Sequence, residues 1–452
     1  MANLEKASNS DIDYANAPIP PTQRMGRLAL SMAWFALCSA MFWLMVPAVL
    51  AQSFGTVNVL IGLALSVVVY GLVNRVIVKY AIRTGLSVSL FSRLVFGKVG
   101  AELATLIFFA TAIYYAVFEG SVISIAIHSQ YPSISLNLAY GIVVAYSVPL
   151  VFGSVQKWLD KLNGVLLPFF LVGLVAAVVM SFSHYGYSDA WLHIGPASGD
   201  PAGGWWQCFT YFMGVWIMMM YTWDYARFGK EKDAGFHRTV TFGWFFYGFT
   251  FMINALVGMF LVGSFSVDGG VNEVSAVVAL LKLMGISGLV FVWITQTRIN
   301  TANFYLSAVN MKSFFGMFFG LDIPKFAWAI VVGVVVYLLM QQNVFSFILQ
   351  SLAYQGIFVV AWVSIALTHI LVNDSTTRPE EIEVALRTAP RFNQKGLVAW
   401  FAGTVAGIGV MHMPGFAASF SAPVTALCGA LVFAALTKPG RSAQRAGVIR
   451  ID

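Results

Sequence analysis

Residues 110–126 read ATAIYYAVFEGSVISIA, an apolar run with one acid, Glu119, near its centre. A carboxylate at the centre of a membrane helix costs about 2.5–3.5 kcal/mol even on a lenient insertion scale, so such a group normally faces a partner, water or a ligand. On a helix, Thr111, Tyr115 and Glu119 share one face because they recur at i, i+4 and i+8. A hydroxyl, an aromatic ring and an acid in one row are typical of a pocket wall for a flat ligand rich in hydrogen-bond donors.

The composition of the whole chain is that of a membrane protein. Of its 452 residues, 59% are hydrophobic and 10% are charged, and the mean hydropathy is +0.79. A soluble domain has about 25% charged residues. Because about 20 apolar residues cross a bilayer as a helix, we predict an all-α membrane protein with about twelve transmembrane helices. The predicted spans are residues 28–52, 57–78, 103–127, 137–154, 163–183, 205–225, 239–264, 286–307, 326–342, 346–372, 396–411 and 417–437.

The net charge of +7 reflects where the basic residues lie along the chain. Apart from Lys282 and Arg298, every lysine and arginine falls in a tail or in a connection on the same side of the membrane as the N-terminus. Under the positive-inside rule, this pattern places both termini in the cytoplasm and requires an even number of spans. The basic residues therefore indicate membrane orientation and argue against a nucleic-acid partner.

Both ends of the chain are polar. Residues 1–27 contain several prolines and no apolar signal region before a cleavage site, so we predict a disordered cytoplasmic tail. Residues 438–452 are predicted to form a second cytoplasmic tail, and residues 28–437 the transmembrane domain. The compact loops and the lack of a targeting peptide favour the inner (cytoplasmic) membrane of a bacterium.

The sequence lacks the residue patterns of an enzyme. Cys38, Cys208 and Cys428 stand singly in apolar stretches, which is typical of packing residues and not of a disulfide framework or a metal site. The six histidines lack the spacing of a membrane metalloenzyme, and there is no phosphate loop or G-x-S-x-G elbow. We therefore predict a protein that is not an enzyme and has no organic cofactor, in which an ion gradient drives any transport.

Two spans contain residues that interrupt a helix. Ala36, Ser39 and Ala40 lie in the first span, and Gly214 lies in the sixth, five spans later. Small residues also serve close helix packing in membranes. Interrupted spans at corresponding positions of two five-span units, however, are the sequence indication of an inverted-repeat transporter with a site near the bilayer midplane.

Three further stretches carry motifs. Residues 80–101, YAIRTGLSVSLFSRLVFGKVGA, contain T-G-L, an arginine and F-G-x-x-G; residues 224–229 read DYARFG, and residues 295–310 read TQTRINTANFYLSAVN. With the span count and the length, these motifs resemble the nucleobase:cation symporter-1 family, which includes cytosine permeases and hydantoin and allantoin transporters. The resemblance implies a leucine-transporter-type core of two inverted five-helix repeats, at about 28–183 and 205–372, plus two extra helices at about 396–437.

The resemblance also implies a substrate site. In the family, a flat ring lies between an aromatic residue of span three and one of span six, and amides of spans three and eight bind its edge. These positions fall on Tyr115 and Trp216 for the two rings, and on Asn300 and Asn303 for the amides of span eight. Each aromatic pair would contribute about 0.5–1.5 kcal/mol beyond burial. Ordinary helix packing is the alternative role for these side chains.

One departure from the family lies in span three, where Glu119 replaces a glutamine. An ionised carboxylate only accepts hydrogen bonds, whereas an amide also donates. Glu119 therefore favours a ligand with several N–H groups, such as an aminopyrimidine, a guanidine or amidine, or a cation. It could instead take up a proton, or form a structural pair with a basic residue.

The second departure is Arg298, which lies beside the position where the family binds sodium. The family uses consecutive hydroxyl residues there, whereas Thr295 and Thr297 are separated by a glutamine. The resemblance implies a sodium site formed by these two hydroxyls and the carbonyls of Trp34 and Leu37. The permanently charged guanidinium of Arg298 could replace the ion, pair with Glu119 or bind a substrate carboxylate such as that of an imidazole acid.

These observations predict a secondary-active importer that acts as a cation-coupled symporter. Its partners are the lipid bilayer, a coupling cation, Na+ or H+, and a small planar nitrogen-rich substrate such as cytosine, a purine or allantoin. The alternative is a carrier of a guanidine, an amine or an imidazole acid on the same fold, coupled to protons or uncoupled from sodium. Asp224, Arg227 and Lys230 are predicted to form a charge cluster at the cytoplasmic end of span six.

Overall fold

A computed structural model describes residues 17–152, 154–264, 271–272, 274–342, 347–372 and 379–437, with the backbone alone at 154–164, 348–349 and 379–380. These residues form helices joined by short connections. The first nine helices are α1 (Arg27–Phe35), α2 (Phe42–Phe54), α3 (Thr56–Thr84), α4 (Val88–Phe96), α5 (Glu102–Gln130), α6 (Leu136–Leu150), α7 (Ser154–Tyr185), α8 (Gly204–Met213) and α9 (Ile217–Ala226). The others are α10 (Ala234–Phe236), α11 (Trp244–Tyr247), α12 (Asn254–Gly263), α13 (Ser275–Met284), α14 (Ile286–Phe319), α15 (Lys325–Met340), α16 (Ile348–Val372), α17 (Pro379–Thr388), α18 (Gln394–Met411) and α19 (Ser421–Thr437).

Each of the twelve predicted spans coincides with a helix or with a helix in two parts, so the predicted all-α membrane fold is confirmed. Within the described ranges, 6 helices are long and apolar enough to cross a membrane, and one bent pair forms a further span. The main departure in length is span eight, which continues as α14 to Phe319 because its last turns remain helical beyond the apolar stretch.

The first predicted break lies between α1 and α2, which meet at a bend of 42°. A 3-10 turn over Ala36–Ser39 and the extended residue Ala40 separate the two helices. The side chains here are small, so neighbouring helices approach the backbone closely. Because the regular hydrogen-bond ladder stops, the carbonyls of the turn need other partners at membrane depth.

The second predicted break, between α8 and α9, is formed by residues 214–216. A Cβ added to Gly214 would lie 2.5 Å from the carbonyl oxygen of Leu352, and one added to Gly356 would lie 2.6 Å from the Cα of Gly214. The backbones of this break and of α16 are therefore in direct contact. Only glycine permits that approach, which explains the residue at the break.

The long helix α14 packs most extensively against α5. Span seven follows the break of span six and contains two π-helical stretches, His237–Thr241 and Gly248–Ile253, before α12. Such π-turns are frequent at functional sites because they displace the residues that follow them. Here the second stretch ends immediately before Asn254, a buried amide.

Residues 19–27 lie across one end of the helix bundle, and we call them the N-terminal strap. The backbone N–H of Ile19 donates to the carbonyl of Gly85 at 2.9 Å, and that of Met25 donates to the carbonyl of Phe228 at 2.7 Å. The strap is thus ordered, whereas the sequence predicts disorder to residue 27. An extended, proline-rich segment can pair with loop carbonyls, which composition does not reveal. The rest of that predicted tail, residues 1–16, and the predicted tail 438–452 lie outside the described residues.

Charged side chains attach the strap to the bundle. The Arg24 guanidinium donates to the carbonyls of Ile82 and Gly229, at 2.5 and 3.1 Å. Partial burial lowers the pKa of this guanidinium, and the carboxylate of Glu231 opposes the shift. Arg27 binds the Asp233 carboxylate at 2.8 Å. We call this end of the bundle, where Arg24 and Arg27 attach the strap, the basic face.

Two of the sequence motifs meet at the basic face. The carboxylate of Asp224 accepts a hydrogen bond from the backbone N–H of Val88 at 2.9 Å, at the start of α4. It lies 4.0 Å from the Arg227 guanidinium, in line with the charge cluster predicted for the end of span six. Gly85, with φ of 69°, ends α3 in the left-handed conformation, and the Ser87 hydroxyl caps α4.

Candidate substrate site

Glu119 lies at the middle of α5, and its side chain is 2% exposed. Its Oε2 atom has no hydrogen-bond partner among the residues that the structure describes. Buried polar atoms are almost always paired, so an unpaired carboxylate oxygen calls for an explanation. A ligand with an N–H or O–H donor would satisfy it, whereas a bound proton would remove the buried charge.

The helix α14 presents a row of amides to α5. Gln296, Asn300 and Asn303 follow the i, i+4, i+7 pattern of one helix face, and all three are buried. A Cβ added to Gly120 would lie 3.6 Å from the Nδ2 atom of Asn300, so this amide packs against α5 at the residue that follows Glu119. That Glu119, Asn300 and Asn303 bind one ligand together stays a prediction.

Both asparagines retain hydrogen-bonding capacity. Asn300 donates from Nδ2 to the Ser147 hydroxyl at 3.5 Å, but its Oδ1 atom has no partner in the described part of the chain. The Nδ2 atom of Asn303 likewise has no hydrogen-bond partner among the described residues. The helices α5 and α14 together carry two unpaired buried acceptors, on Glu119 and Asn300, and one unpaired buried donor, on Asn303.

Tyr115 lies one turn before Glu119 on α5. Its ring packs edge-on against Phe42 of α2, with 6.0 Å between the ring centroids. Its hydroxyl accepts a hydrogen bond from the Nε2 atom of Gln355 on α16, at 3.5 Å. The sequence analysis missed Gln355, although an amide inside an apolar span, next to Gly356, is the signal that could have revealed it.

Trp216 is the last residue of the span-six break and is 5% exposed. Its indole N–H has no partner among the described residues. The ring meets Tyr70 edge-on at 6.5 Å, and no described ring contact joins Trp216 to Tyr115. Trp216 thus ends the break of span six, whereas Tyr115 packs from α5 against Phe42, at the start of α2 after the first break.

A cavity of about 400 Å³ lies between this region and the basic face. Phe108 and Tyr221 line it, two turns before Tyr115 on α5 and five residues after Trp216 on span six. Because these residues follow the same helices toward the basic face, the cavity lies on that side of the predicted substrate residues. Glu119 and Trp216 are themselves buried, and Tyr115 is half-buried.

Arg298 lines this cavity and is 8% exposed. It shares its helix face with Thr301 and Tyr305, which also line the cavity. Arg298 and Asn300 are two residues apart, which is about 200° around a helix. The structure therefore places Arg298 on a different face of α14 from the amide row, and not with Glu119 as one prediction allowed.

Three of the four predicted sodium ligands have hydrogen-bond partners within the described part of the chain. The Thr297 hydroxyl forms a hydrogen bond with the Tyr146 hydroxyl of α6 at 2.8 Å, so it faces away from the first break. Thr295 bonds back to the carbonyl of Phe291 at 2.8 Å. The Leu37 carbonyl accepts a hydrogen bond from the Trp43 indole at 2.9 Å. The residues present at this position do not fit a sodium ion bound by the predicted set.

Trp34, whose carbonyl was the remaining predicted ligand, packs its ring among aromatic residues of span seven and of the end of span six. The centroid distances are 4.9 Å to Phe242 and 5.4 Å to Tyr225. This side chain anchors α1 near the basic face.

The fold is similar to that of solved transporters. The inward-facing conformation of Mhp1 matches with a TM-score of 0.74 and 15% identity, covering 97% of this chain and 98% of that one. A closed conformation of Mhp1, a nucleobase-cation-symport-1 family transporter with bromovinylhydantoin bound, matches with a TM-score of 0.68 and 16% identity over 93% and 94% of the two chains. A Na+-coupled sialic acid symporter in a substrate-bound outward-open state matches with a TM-score of 0.63 and 12% identity over 92% and 91%.

No family model matches the chain, and the search of curated proteins gave no match. At these identities the likeness shows the fold alone. It confirms the predicted leucine-transporter-type architecture over nearly the whole chain.

Proposed function

We propose that this protein is a secondary-active transporter that carries a small, planar, N–H-rich compound through the membrane by alternating access. The observation that carries the proposal is the unpaired, buried Oε2 atom of Glu119, one helical turn after Tyr115 on α5. An ion gradient would drive uptake, as in the symporters whose fold it shares.

The pattern of unpaired atoms supports a specific edge chemistry for the substrate. Glu119 and Asn300 offer acceptors, and Asn303 offers a donor. A ligand edge with two N–H groups and one acceptor atom would satisfy all three, as in an aminopyrimidine. The rings of Tyr115 and Trp216 would then bury its faces, and aromatic contacts of this kind contribute about 0.5–1.5 kcal/mol each.

A guanidine or amine is the second candidate, because a buried carboxylate is stabilised best by a cation. An imidazole acid is less well supported, since Arg298 lies on the cavity face of α14 and not beside Glu119. The two leading classes share N–H groups and differ in charge.

The side of the membrane on which the cavity opens follows from the orientation that the basic residues predict. With the basic face in the cytoplasm, as the positive-inside rule requires, the 400 Å³ cavity lies on the cytoplasmic side of the site. The conformation described here would then follow release of the substrate into the cell. Both termini would be cytoplasmic, in the inner membrane of a bacterium.

The experiment has two arms. Thermal unfolding of the detergent-purified full chain is measured against aminopyrimidines, purines, ureides, guanidines and amines, because a ligand that binds the native state stabilises it by RT ln(1 + [L]/Kd). Uptake of each stabilising compound is then measured in sealed liposomes. We expect aminopyrimidine-like compounds to stabilise the wild type and to be transported.

Glu119→Gln is the diagnostic variant, and Lys282→Gln, at an exposed position of α13, is the matched control. We expect Glu119→Gln to lose about tenfold or more in affinity, because charged hydrogen bonds contribute about 1.5–3 kcal/mol. Unchanged affinity in this variant would show that the carboxylate does not bind the substrate. Stabilisation by guanidines and amines alone would move the assignment to the second candidate.

A further inference from the structure

The carbonyls of the first helix break already have hydrogen-bond donors from the chain. Leu37 accepts from the Trp43 indole at 2.9 Å, Cys38 from the Nδ2 atom of Asn254 at 2.9 Å, and Ser39 from the Nε2 atom of Gln296 at 3.2 Å. Carbonyls freed at membrane depth need such partners, and in discontinuous helices a cation commonly supplies part of that need. Here three consecutive carbonyls are satisfied by side-chain N–H groups.

Gln296 makes the most informative of these contacts. Its Nε2 atom lies 3.2 Å from the Ser39 carbonyl and 3.2 Å from the Thr295 hydroxyl. These two oxygens belong to the first break and to α14. A cation that joined the two elements through these oxygens would occupy the position that the amide nitrogen fills.

The orientation of this amide is fixed from its other end. The Oε1 atom of Gln296 accepts a hydrogen bond from the backbone N–H of Met41 at 3.3 Å. Rotating the amide by half a turn would place its NH2 group against that N–H and its oxygen against the Ser39 carbonyl. Two favourable contacts would become two repulsive ones, so the nitrogen remains at the break. The side chain is fully buried, and water does not compete for these bonds.

We propose that the Gln296 side chain takes the place of a coupling sodium ion at the first break, so that this protein binds and carries its substrate without sodium. Gln296 acts as a positioning residue that links span one to span eight through Ser39 and Met41. The inference rests on the proposed transport function only for its uptake measurement. Because the amide is part of the chain and cannot be released as an ion is, this link carries no dependence on the sodium gradient.

The first test needs no substrate. Thermal unfolding of the purified full chain is followed as NaCl replaces KCl or choline chloride at constant ionic strength. We expect the three salts to give the same midpoint in the wild type. A rise of the midpoint with sodium alone would show a sodium site and overturn the inference, whether or not the protein transports the proposed substrates.

The second test removes the amide. Gln296→Ser leaves the Ser39 carbonyl and the Thr295 hydroxyl without their donor and adds one hydroxyl, so we expect a lower midpoint that sodium partly restores. Asn74→Ser is the matched control, because Asn74 is an equally buried amide that bonds the Phe242 carbonyl and the Tyr247 hydroxyl, both at 3.0 Å. We expect it to be destabilised and unaffected by sodium. Equal responses of the two variants to sodium would contradict the special role of Gln296.

If Gln296→Ser does not fold, measurements on the wild-type protein still test the inference. Equilibrium binding of radioactive sodium to the purified protein is expected to be absent, and stoichiometric binding would overturn the inference. In liposomes, uptake of a stabilising compound with choline in place of sodium is expected to match uptake with sodium. A loss of tenfold or more without sodium would likewise overturn it, whereas absence of any transported compound would count against the proposed function alone.

Discussion

Glu119 carries an acid into the middle of a membrane helix and leaves one of its oxygens unpaired among the described residues. Its position could be read from the sequence, because it is the only acid in its span and shares a face with Tyr115. The neighbours of Glu119 could not be read from the sequence, since they depend on how α14 is rotated about its axis. The unpaired atoms of Asn300 and Asn303 became visible only with the packing of the two helices.

At the same scale, Gly356 is predicted to be intolerant of any side chain. In Gly356→Ala, the new Cβ would lie 2.6 Å from the Cα of Gly214, and backbone atoms cannot move aside as a flexible side chain can. Overpacking of this kind costs about 1–3 kcal/mol. We expect a lower unfolding midpoint in detergent and reduced uptake.

Gly409→Ala is the control for that substitution. An added Cβ there meets nothing within 4 Å, and alanine favours the helix by up to about 1 kcal/mol relative to glycine. We expect its midpoint to equal or exceed that of the wild type. Equal destabilisation of the two variants would refute the contact between the break and α16 as its cause.

At the scale of elements, α14 has two polar faces with separate roles. The amide row includes Asn300, which packs against α5 at Gly120, whereas Arg298, Thr301 and Tyr305 line the cavity of the basic face. Motif spacing alone places all these residues on one helix. Because adjacent polar positions differ by about 100° around a helix, a sequence motif does not reveal which of them act together.

The predicted sodium ligands are divided between two faces of α14 for the same reason. Thr295 and Thr297 are two residues apart, so one hydroxyl lies near the first break and the other reaches Tyr146. Gln296 stands between them in the same stretch of sequence, yet its role depends on the course of the Ser39 and Met41 backbone. The small residues predicted where the helices break. They did not predict which side chains donate hydrogen bonds to the carbonyls freed at the break.

The two faces of α14 predict different effects of matched substitutions. Asn303→Ala removes an unpaired donor from the proposed site, so we expect substrate affinity to fall by roughly five- to tenfold, in line with about 1 kcal/mol for a hydrogen bond. Thr301→Ala, on the cavity face, should leave affinity unchanged. Calorimetric titration of a stabilising ligand measures both. Similar losses in the two variants would show that substrate binds along the cavity face.

At the scale of the whole molecule, the N-terminal strap connects elements that lie far apart in the chain. It bonds the end of α3 through Gly85 and the end of span six through Phe228. Composition predicts the membrane domain well, because hydrophobicity and length determine helices in a bilayer. It fails for the strap, since main-chain pairing with loop carbonyls leaves no trace in side-chain composition.

Loosening the strap is predicted to expose the cavity. In Arg24→Ala, the bonds to the Ile82 and Gly229 carbonyls are lost. A cysteine placed by Thr301→Cys, in a background without the three native cysteines, would report access through its rate of maleimide labelling from the basic face. We expect labelling to accelerate several-fold.

Arg75→Ala is the control, because Arg75 lies on α3 over the Trp244 ring and has no part in the strap. Its labelling rate should match that of the parent. If Arg24→Ala labels no faster than this control, the strap does not limit access to the cavity.

The course of the strap also decides where reporters can be attached. A folded domain fused directly ahead of residue 19 would be held beside Gly85 and Phe228, next to Met25 at the rim of the cavity. It would crowd the passage that it was meant to observe. Fluorophores for single-molecule work therefore belong at the other end of the bundle, where Met413 is 50% exposed in the connection between α18 and α19.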